Sequence, residues 1–183
     1  MDTELLYHTV LTVVDYHIDT SGSTQYVYVL GSHGTLEAAK EFAVKALHNL
    51  GYEADEFAVY EAHQTGVEWR HGDGVIVYAK APAGQEFIVR LDTTPNPEGL
   101  MMRPDGSLVL GGGLDHLHYV LQTKVDYNQD RSGANRTTDI EGCYRRREDA
   151  VHAARECLAE DRARFAQYDE RTIVGRADEV SGR

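Results

Sequence analysis

One segment of this chain is repeated 111 residues further on. When 111 is added to each residue number from 6 to 48, the resulting segment 117–159 aligns without a gap, and thirteen of the 43 pairs are identical. Average residue usage would give roughly three identities over that length. The identical pairs include a turn glycine, Gly22 with Gly133. Such a repeat indicates that one supersecondary unit occurs twice, which restricts the fold to architectures that hold two such units.

Each unit follows the pattern strand, turn, strand, helix. In the first unit, residues 5–17 alternate as a strand, 19–22 form a turn of Asp, Thr, Ser and Gly, and 25–30 form the returning strand. A helix is predicted from about residue 35 to residue 50, because its apolar positions recur with the 3.6-residue period of an amphipathic helix. Gly51 then suits the position after the helix end, where a left-handed backbone is favoured.

The first unit continues into a further hairpin, predicted from residues 75–79 and 87–91 around a turn at 82–84. The second unit has no counterpart of this hairpin. The predicted fold is α+β, with antiparallel sheets each packed on a helix and with the second module truncated. The predicted division of the chain is a first module at 1–92, a linker at 93–113 with a small hairpin near 104–106, a second module at 114–170 and a frayed polar tail at 171–183.

A resemblance rests on three stretches: WRHGDGV at 69–75, APAGQEF at 81–87 and DYNQDRSG at 126–133. They are similar to a family of uncharacterised fungal proteins that are also built from two such modules. The similarity covers most of residues 5–170, and it implies a tandem architecture and an intracellular fungal origin. No activity is known for that family, so the resemblance transfers no catalytic residue. In the family the second copy usually ends with its own strand pair, which this sequence lacks.

Charge and cysteine content narrow the expected partners and location. The formal net charge is −12, and such a surface repels phosphate backbones and anionic lipid, so neither nucleic acid nor membrane is an expected partner. The two cysteines, Cys143 and Cys157, are too few for a secreted disulfide scaffold and favour a reducing compartment. The first residues have no basic segment before an apolar run, so no signal peptide is predicted. The expected location is the cytoplasm.

The two units differ on one face of their first hairpin. Alternation places one apolar or neutral set on the face expected to contact the helix: Val10, Thr12, Val14 and Tyr16. The opposite face is apolar and tyrosine-rich in the first unit: Leu11, Val13, Tyr26, Tyr28 and Leu30. It is largely polar in the second unit: Gln122, Lys124, Thr137, Asp139 and Glu141. The second unit is therefore expected to have a wet outer face, and the first unit an apolar one.

An apolar patch of this kind on a surface marks a contact site. The leading hypothesis is a non-catalytic binding or interaction module, in which the tyrosine-bearing face of the first unit is covered by a second protomer, as in a homodimer, or by a small-molecule ligand. Coverage of this face within the chain is the alternative that the sequence leaves open.

The rival hypothesis is a small-molecule enzyme in a biosynthetic pathway, of isomerase, lyase or cyclase type, that works by general acid–base chemistry. Its candidate residues are Tyr28, His33, His71 and Asp15. Asp15 recurs as Asp126, and paired carboxylates can share acid and base roles. An aspartate before a turn more simply has a structural role at the end of a hairpin strand, and this interpretation is favoured.

His116 and His118 are a candidate pair for a metal, since residues two apart on a strand share a face and imidazole suits transition metals. No third ligand is evident in the sequence. The prediction is therefore no metal and no cofactor.

Two turns before helices could bind an anion, at residues 31–35 and at Arg145–Arg147, although a solvated turn is the favoured interpretation of both. Trp69, His71 and Asp73 could line a pocket, or they could belong to a tight turn that needs two glycines. The spacing of a phosphate-binding loop, a nucleophile elbow or a zinc protease does not occur. The sequence thus gives little support for covalent or metal catalysis.

Overall fold

The computed structural model describes residues 3–171, so the predicted tail lies outside the described residues except for Arg171. Over that range the protein is a mixed α+β structure with antiparallel strands, as predicted. The strands are β1 (Leu5–Val14), β2 (Gln25–His33), β3 (Val59–Ala62), β4 (Val75–Lys80), β5 (Glu86–Pro95), β6 (Met101–Met102), β7 (Leu108–Val109), β8 (His118–Val125) and β9 (Arg136–Tyr144). The helices are α1 (Leu36–Asn49) and α2 (Arg147–Glu156), with short 3-10 turns at Ala54–Glu56 and Arg162–Arg164. No helix in this part of the chain is long and apolar enough to cross a membrane.

Five strands form one antiparallel sheet in the order β2-β1-β5-β4-β3. β4 and β5 are the additional hairpin predicted after the first helix, and β6 pairs with β7 as the small hairpin predicted in the linker. β8 and β9 form a separate two-stranded sheet. The edge strand β3 has no counterpart among the predicted elements, because four residues are too few to show a period.

The hairpins β1–β2 and β8–β9 have the same pairing register. Tyr7 lies opposite His33 in the first hairpin, and 111 residues later His118 lies opposite Tyr144 in the second. Each register also shifts once, after the third pair of the hairpin. A β-bulge of this kind bends the strand that contains the extra residue and increases its local twist.

An aspartate and a glycine shape the turn of each hairpin. Asp15 Oδ1 accepts hydrogen bonds from the backbone N–H groups two and three residues on, each at 3.1 Å. Asp126 accepts the same two bonds in the second hairpin. Gly22 and Gly133 have φ of +78° and +80°, a region that favours glycine. Asp15 therefore has a structural role in the hairpin turn, as the favoured interpretation predicts.

Helix α1 covers one face of the five-stranded sheet. Its N-cap is Thr35, whose hydroxyl accepts a hydrogen bond from the N–H of Ala38 at 3.3 Å. Gly51, at φ +92°, follows its C-terminal end. These bounds agree with the predicted helix to within one residue. The stripe that α1 buries consists of Ala39, Ala43, Ala46 and Leu47.

The face of the sheet that α1 covers is not the predicted one. Leu11 is fully buried in one cluster with three side chains of α1: Ala43, Ala46 and Leu47. The residues that pack against this cluster include Val13, Tyr28 and Leu30. The prediction that Val10, Thr12 and Val14 contact the helix is therefore wrong. Alternation separates two faces but does not tell which one the helix covers, and in β1 Val10 and Leu11 are both buried.

The expected binding face is thus partly covered by α1, with Leu11 buried and Val13, Tyr28 and Leu30 half-buried. Coverage within the chain is the alternative that this packing supports. Tyr26 is the exception, since it is 47% exposed at the end of β2 near the hairpin turn. The surface that β2 still offers to a partner is its outer edge.

The β8–β9 hairpin packs on the other face of the large sheet. A second buried cluster joins the two units and consists of Leu6, Leu100, Leu117 and Cys143. His8 and Tyr119 meet edge to face there, with ring centroids 5.7 Å apart. Positions 6 and 117, and positions 8 and 119, are separated by 111 residues. The two hairpins therefore meet through equivalent positions of the repeat.

Helix α2 packs on β8–β9. Four of the five residues expected to face water are exposed, namely Lys124, Thr137, Asp139 and Glu141, and only Gln122 is not. Gln122 is buried there, and its amide donates to Glu141 Oε1 and accepts from Lys124 Nζ, both at 2.9 Å. The polar side chains of this face therefore satisfy one another beside the helix. The helix ends at Glu156, so Cys157 and Leu158, which the 111-residue offset relates to Ala46 and Leu47 of α1, lie beyond it.

Candidate functional site

The part of the sheet over β4 carries a cluster of aromatic and carboxylate side chains. Tyr78 lies there, on the face opposite to α1. His71 Nε2 contacts Glu61 Oε2, and Arg70 Nη2 donates to the other carboxylate oxygen at 2.8 Å. The hydrogen bond from His71, followed by the charge of Arg70, holds the pKa of Glu61 below its usual range. The loop between β3 and β4 is thus tied back onto β3.

Four rings continue this cluster as a row. His63 meets Trp69 edge to face at 5.2 Å, and Trp69 meets His71 at 4.8 Å. His71 then stacks on Tyr78, with centroids 4.1 Å apart and planes 10° apart. The turn that follows His71 has its two glycines at φ of +98° and +80°, as a tight turn needs. Asp73 is exposed in that turn.

Tyr78 links the row to a second ion pair. Burial of the phenol, assisted by a hydrogen bond to Glu86, raises the pKa of Tyr78 to about 12. Glu86 also lies 3.6 Å from Lys80 Nζ. The two carboxylates of this surface, Glu61 and Glu86, are therefore both engaged by neighbouring side chains.

A carboxylate that bonds an imidazole can orient it as a general base. The His71 side chain, however, is only 13% exposed, with one nitrogen bound to Glu61 and one face covered by Tyr78. Two grooves on the described residues lie elsewhere, one along α2 with a volume of about 310 Å³ and one along α1 with about 260 Å³. The arrangement around His71 is therefore suited to holding the loop on the sheet.

A second polar cluster is buried between the two units. His8 is fully buried, with Nδ1 2.6 Å from Ser32 Oγ and Nε2 2.7 Å from Thr94 Oγ1. Ser32 Oγ is also 2.7 Å from the hydroxyl of Tyr119. Burial lowers the pKa of His8 to about 4, so the ring is neutral at neutral pH. A serine beside a histidine is a nucleophilic arrangement when substrate can reach it, but here the imidazole has no exposure and the network serves to join the units.

The structure does not bring the four candidate catalytic residues into one site. Asp15 lies in the first hairpin turn, Tyr28 is half-buried in the middle of β2, and His33 is at the end of that strand. His71 lies over β4 on the opposite face of the sheet. The ring of His33 packs on Phe42 at 5.1 Å, and burial lowers its pKa.

The candidate metal pair is also arranged differently from the prediction. His116 precedes β8 instead of lying on it, and its ring is 4.9 Å from that of His118 at an angle of 71°. His116 Nδ1 contacts Asp115 Oδ1. Within residues 3–171, no three His, Cys, Asp or Glu side chains are grouped so that they could hold a metal ion.

The arginines before α2 are paired with carboxylates. Glu98 Oε2 accepts a hydrogen bond from the backbone N–H of Arg145 at 2.8 Å and lies 4.0 Å from its guanidinium. Asp149 Oδ2 accepts from Arg146 Nε at 3.0 Å. The equivalent turn before α1 is capped by Thr35. These partners offset the positive charge at the helix start from within the chain.

The outer edge of β9 is capped by side chains of β5. The C=O of Thr138 accepts a hydrogen bond from Arg90, and the N–H of Ile140 donates to Asp92 Oδ2 at 2.9 Å. The strand also carries three charged residues, Arg136, Asp139 and Glu141. Capping and charge both discourage an edge strand from pairing with another chain.

The outer edge of β2 is neither capped nor charged. The backbone groups of Gln25, Val27 and Val29 point away from β1, because alternate residues of an antiparallel strand bond to opposite sides. Within residues 3–171 no strand or side chain bonds to these groups, and an isolated bridge from His33 to Ser107 occurs at the far end of the strand. The nine residues of β2 include no Asp, Glu, Lys or Arg, and none of them is fully buried. The edge is therefore available to another strand.

Comparison of the chain with protein-family models, with curated proteins and with solved structures finds no match. Sequence reasoning missed Glu61, Tyr78, Arg90 and Asp92. The roles of the first two depend on which loop folds over the sheet, which no local pattern reveals. For Arg90 and Asp92 a signal exists, since these two charged residues are two positions apart, and so on one face of the strand, directly after the apolar run 87–89 of β5.

Proposed function

We propose that this protein is a non-catalytic binding module that uses the outer edge of β2 to accept an extended strand. The proposal keeps the interaction hypothesis and moves its surface from the face of the sheet to its edge. The observation that carries it is an uncharged edge strand of nine residues whose outward backbone groups have no partner within residues 3–171. Strand addition gives a bound segment main-chain hydrogen bonds, and the alternate side chains provide specificity.

The other strand edges support β2 as the acceptor. β3, at the opposite edge of the sheet, has only four residues and carries Glu61. β8 carries Lys124, and lysine on an edge discourages pairing. β9 is capped by Arg90 and Asp92. These devices are absent from β2, so pairing would be directed to one edge.

The side chains of β2 also suit a bound strand. Tyr26 and Tyr28 lie on the α1 side of the sheet, and Val27 and Val29 lie on the other side. All four are at least partly exposed. Tyrosine and β-branched residues are favourable cross-strand neighbours, since they pack well on a pleated surface.

The proposal includes a tandem architecture, in which two copies of one module differ in whether this edge is open. Support comes from the 111-residue offset, which relates the strand registers and the turn bonds of the two hairpins. With that offset, Val27 corresponds to Thr138 and Val29 corresponds to Ile140. The backbone groups that are capped in the second unit are thus the ones left open in the first.

A peptide with the sequence of residues 24–31 and two added terminal lysines should bind the protein saturably, as measured by fluorescence anisotropy. Val27→Pro should abolish binding, because proline removes an outward N–H and leaves the bonds to β1 intact. Val27→Thr is the matched control. It keeps the N–H and introduces the residue found at position 138, so it should bind the peptide as the wild type does.

Hydrogen exchange locates the contact. Saturating peptide should slow exchange at the amides of Val27 and Val29, while the amide of Ile140, already bonded to Asp92, should not change. If Val27→Pro melts at the wild-type temperature and still binds the peptide equally well, the edge of β2 is not the binding site.

A further inference from the structure

We infer that the strand accepted by β2 is β2 of a second copy of this chain, paired antiparallel about a two-fold axis at Val27. This inference rests on the proposed function, because it names the partner of the same edge. An antiparallel strand edge can pair with itself, since a two-fold axis exchanges the two strands and reverses their direction. The result would be one continuous sheet of two five-stranded halves.

The position of the axis follows from the regular part of the strand. Pairing of β2 with β1 is continuous from Gln25 to Val29 and shifts after Val29. The centre of this stretch is Val27, whose backbone groups point outward. When Val27 faces Val27 of the partner subunit, Gln25 faces Val29 of the partner subunit. Both members of each pair have outward groups, so each pair can exchange N–H and C=O bonds.

The same register brings tyrosines together. On the α1 side of the sheet, Tyr26 faces Tyr28 of the partner subunit, and symmetry repeats this contact. Tyr26 is 47% exposed in the single chain, so much of its ring would be covered only in the pair. Aromatic pairs across antiparallel strands are favourable, and a buried tyrosine can still direct its hydroxyl to water.

Charge favours a second copy over a partner of opposite charge. The chain has a net charge of −12, but β2 contributes none of it. Two molecules of the same net charge approach most easily through a strip without charge, since a contact between acidic surfaces would be repulsive. A basic partner would instead be attracted to acidic surfaces, which this edge does not provide.

The expected dimer is in exchange with monomer. A single strand pair lies at the small end of specific interfaces, below about 1,000 Å² of total buried area. The dimer should therefore dissociate on dilution and should not grow beyond two chains, because the pairing uses up the edge of each partner.

Sedimentation equilibrium over a wide range of protein concentrations tests this. The wild type should fit a monomer–dimer equilibrium. Val27→Lys and Val27→Glu each place like charges directly opposite at the axis, so each should weaken dimerisation at least tenfold. An equimolar mixture of the two variants should form a heterodimer, since lysine then faces glutamate. Val27→Thr should dimerise like the wild type.

The remaining outcomes separate this inference from the function on which it rests. Thermal unfolding checks each variant, and if Val27→Lys does not fold, Tyr26→Ala at the exposed position should still weaken the dimer severalfold. A chain that is monomeric at every concentration but binds the β2 peptide overturns the second copy and leaves strand acceptance standing. Loss of both overturns both. A dimer that survives Val27→Lys and Val27→Glu forms elsewhere on the molecule and also overturns the inference.

Discussion

His8 occupies a fully buried position that favours the neutral ring. Both of its nitrogens contact hydroxyl groups, of Ser32 and of Thr94, and a hydroxyl can donate to one nitrogen and accept from the other. The charge of Asp92 favours a proton on the ring, but burial disfavours it more strongly. The network is therefore complete without charge, and protonation would place a positive charge in the interior.

Stability should consequently fall in mild acid. The pKa of His8 is about 4 in the folded chain against 6.5 for an exposed ring. Between these values the unfolded chain binds a proton that the folded chain does not, so the free energy of unfolding rises with pH across this window. Lowering the pH from 7 to 4 should cost about 3 kcal/mol from this group. Urea unfolding at a series of pH values measures the loss.

His8→Gln provides the control for this prediction. Glutamine keeps a donor and an acceptor for the two hydroxyls but does not titrate. The difference between the two pH profiles isolates His8 from the carboxylates, which titrate in both chains. A variant that loses as much stability between pH 6.5 and 4.5 as the wild type would show that His8 is not responsible.

The role of a residue could be predicted when its hydrogen-bond partners lie close to it in the sequence, and could not when they lie far away. The role of Asp15 was predicted because the backbone groups that it bonds lie two and three residues away. The role of His8 was not, because its partners Ser32 and Thr94 lie 24 and 86 residues away. Glu61 and His71 are ten residues apart, but the turn between them can close in more than one way.

The first hairpin turn and helix α1 each end at a glycine in a left-handed conformation. Gly22 ends the first hairpin turn, and a Cβ placed there would lie 2.7 Å from the ring of Tyr16. Gly51 follows α1, where a Cβ would meet no atom within 4 Å. Both glycines have positive φ, so a side chain at either position would strain the backbone. Only at Gly22 would it also collide with a neighbouring residue.

Gly51→Ala should destabilise the fold by about 1 kcal/mol, the cost of a left-handed conformation for a residue with a side chain. Gly22→Ala should cost more, because the added methyl group also displaces the Tyr16 ring. Urea unfolding of both variants gives the comparison. Equal losses would mean that the ring moves freely and that only backbone strain counts.

Elements with their own local signals were predicted well. Helix α1 has a periodic apolar stripe, a threonine cap and a terminal glycine, and its bounds agree to within one residue. The assignment of faces failed because Val10 and Leu11 are adjacent on β1 and both fully buried, so burial does not alternate there. Both faces of β1 are buried because α1 packs on one face of the sheet and β8–β9 packs on the other. The sequence of β1 alone does not contain that information.

At the scale of the whole molecule, the two units share one buried cluster. Leu117, directly before β8, packs there with Leu6 and Leu100, so the units should unfold together. Leu117→Ala should lower the free energy of unfolding by about 2–5 kcal/mol. Leu121→Ala is the control, on the strand β8 that follows Leu117; its side chain is 40% exposed, and the change should alter the free energy of unfolding by less than about 1 kcal/mol.

The Leu117→Ala variant also tests which strands lose stability when this cluster is weakened. Native-state hydrogen exchange of Leu117→Ala should show faster exchange in β1 as well as in β8, because the cluster spans both units. Acceleration confined to β8 and β9 would contradict joint unfolding and would make the second unit a separate cooperative block.

The contact between His8 and Tyr119 joins two equivalent positions of the repeat that carry different residues. Two separate, identical chains that met in this way would place the same residue against itself, histidine on histidine or tyrosine on tyrosine. In one continuous chain each half can carry its own residue, and here the Ser32 hydroxyl serves His8 and Tyr119 together. The position equivalent to Ser32 is Cys143, which packs with leucines instead. Covalent linkage thus permits an asymmetric centre that a dimer of single modules could not form.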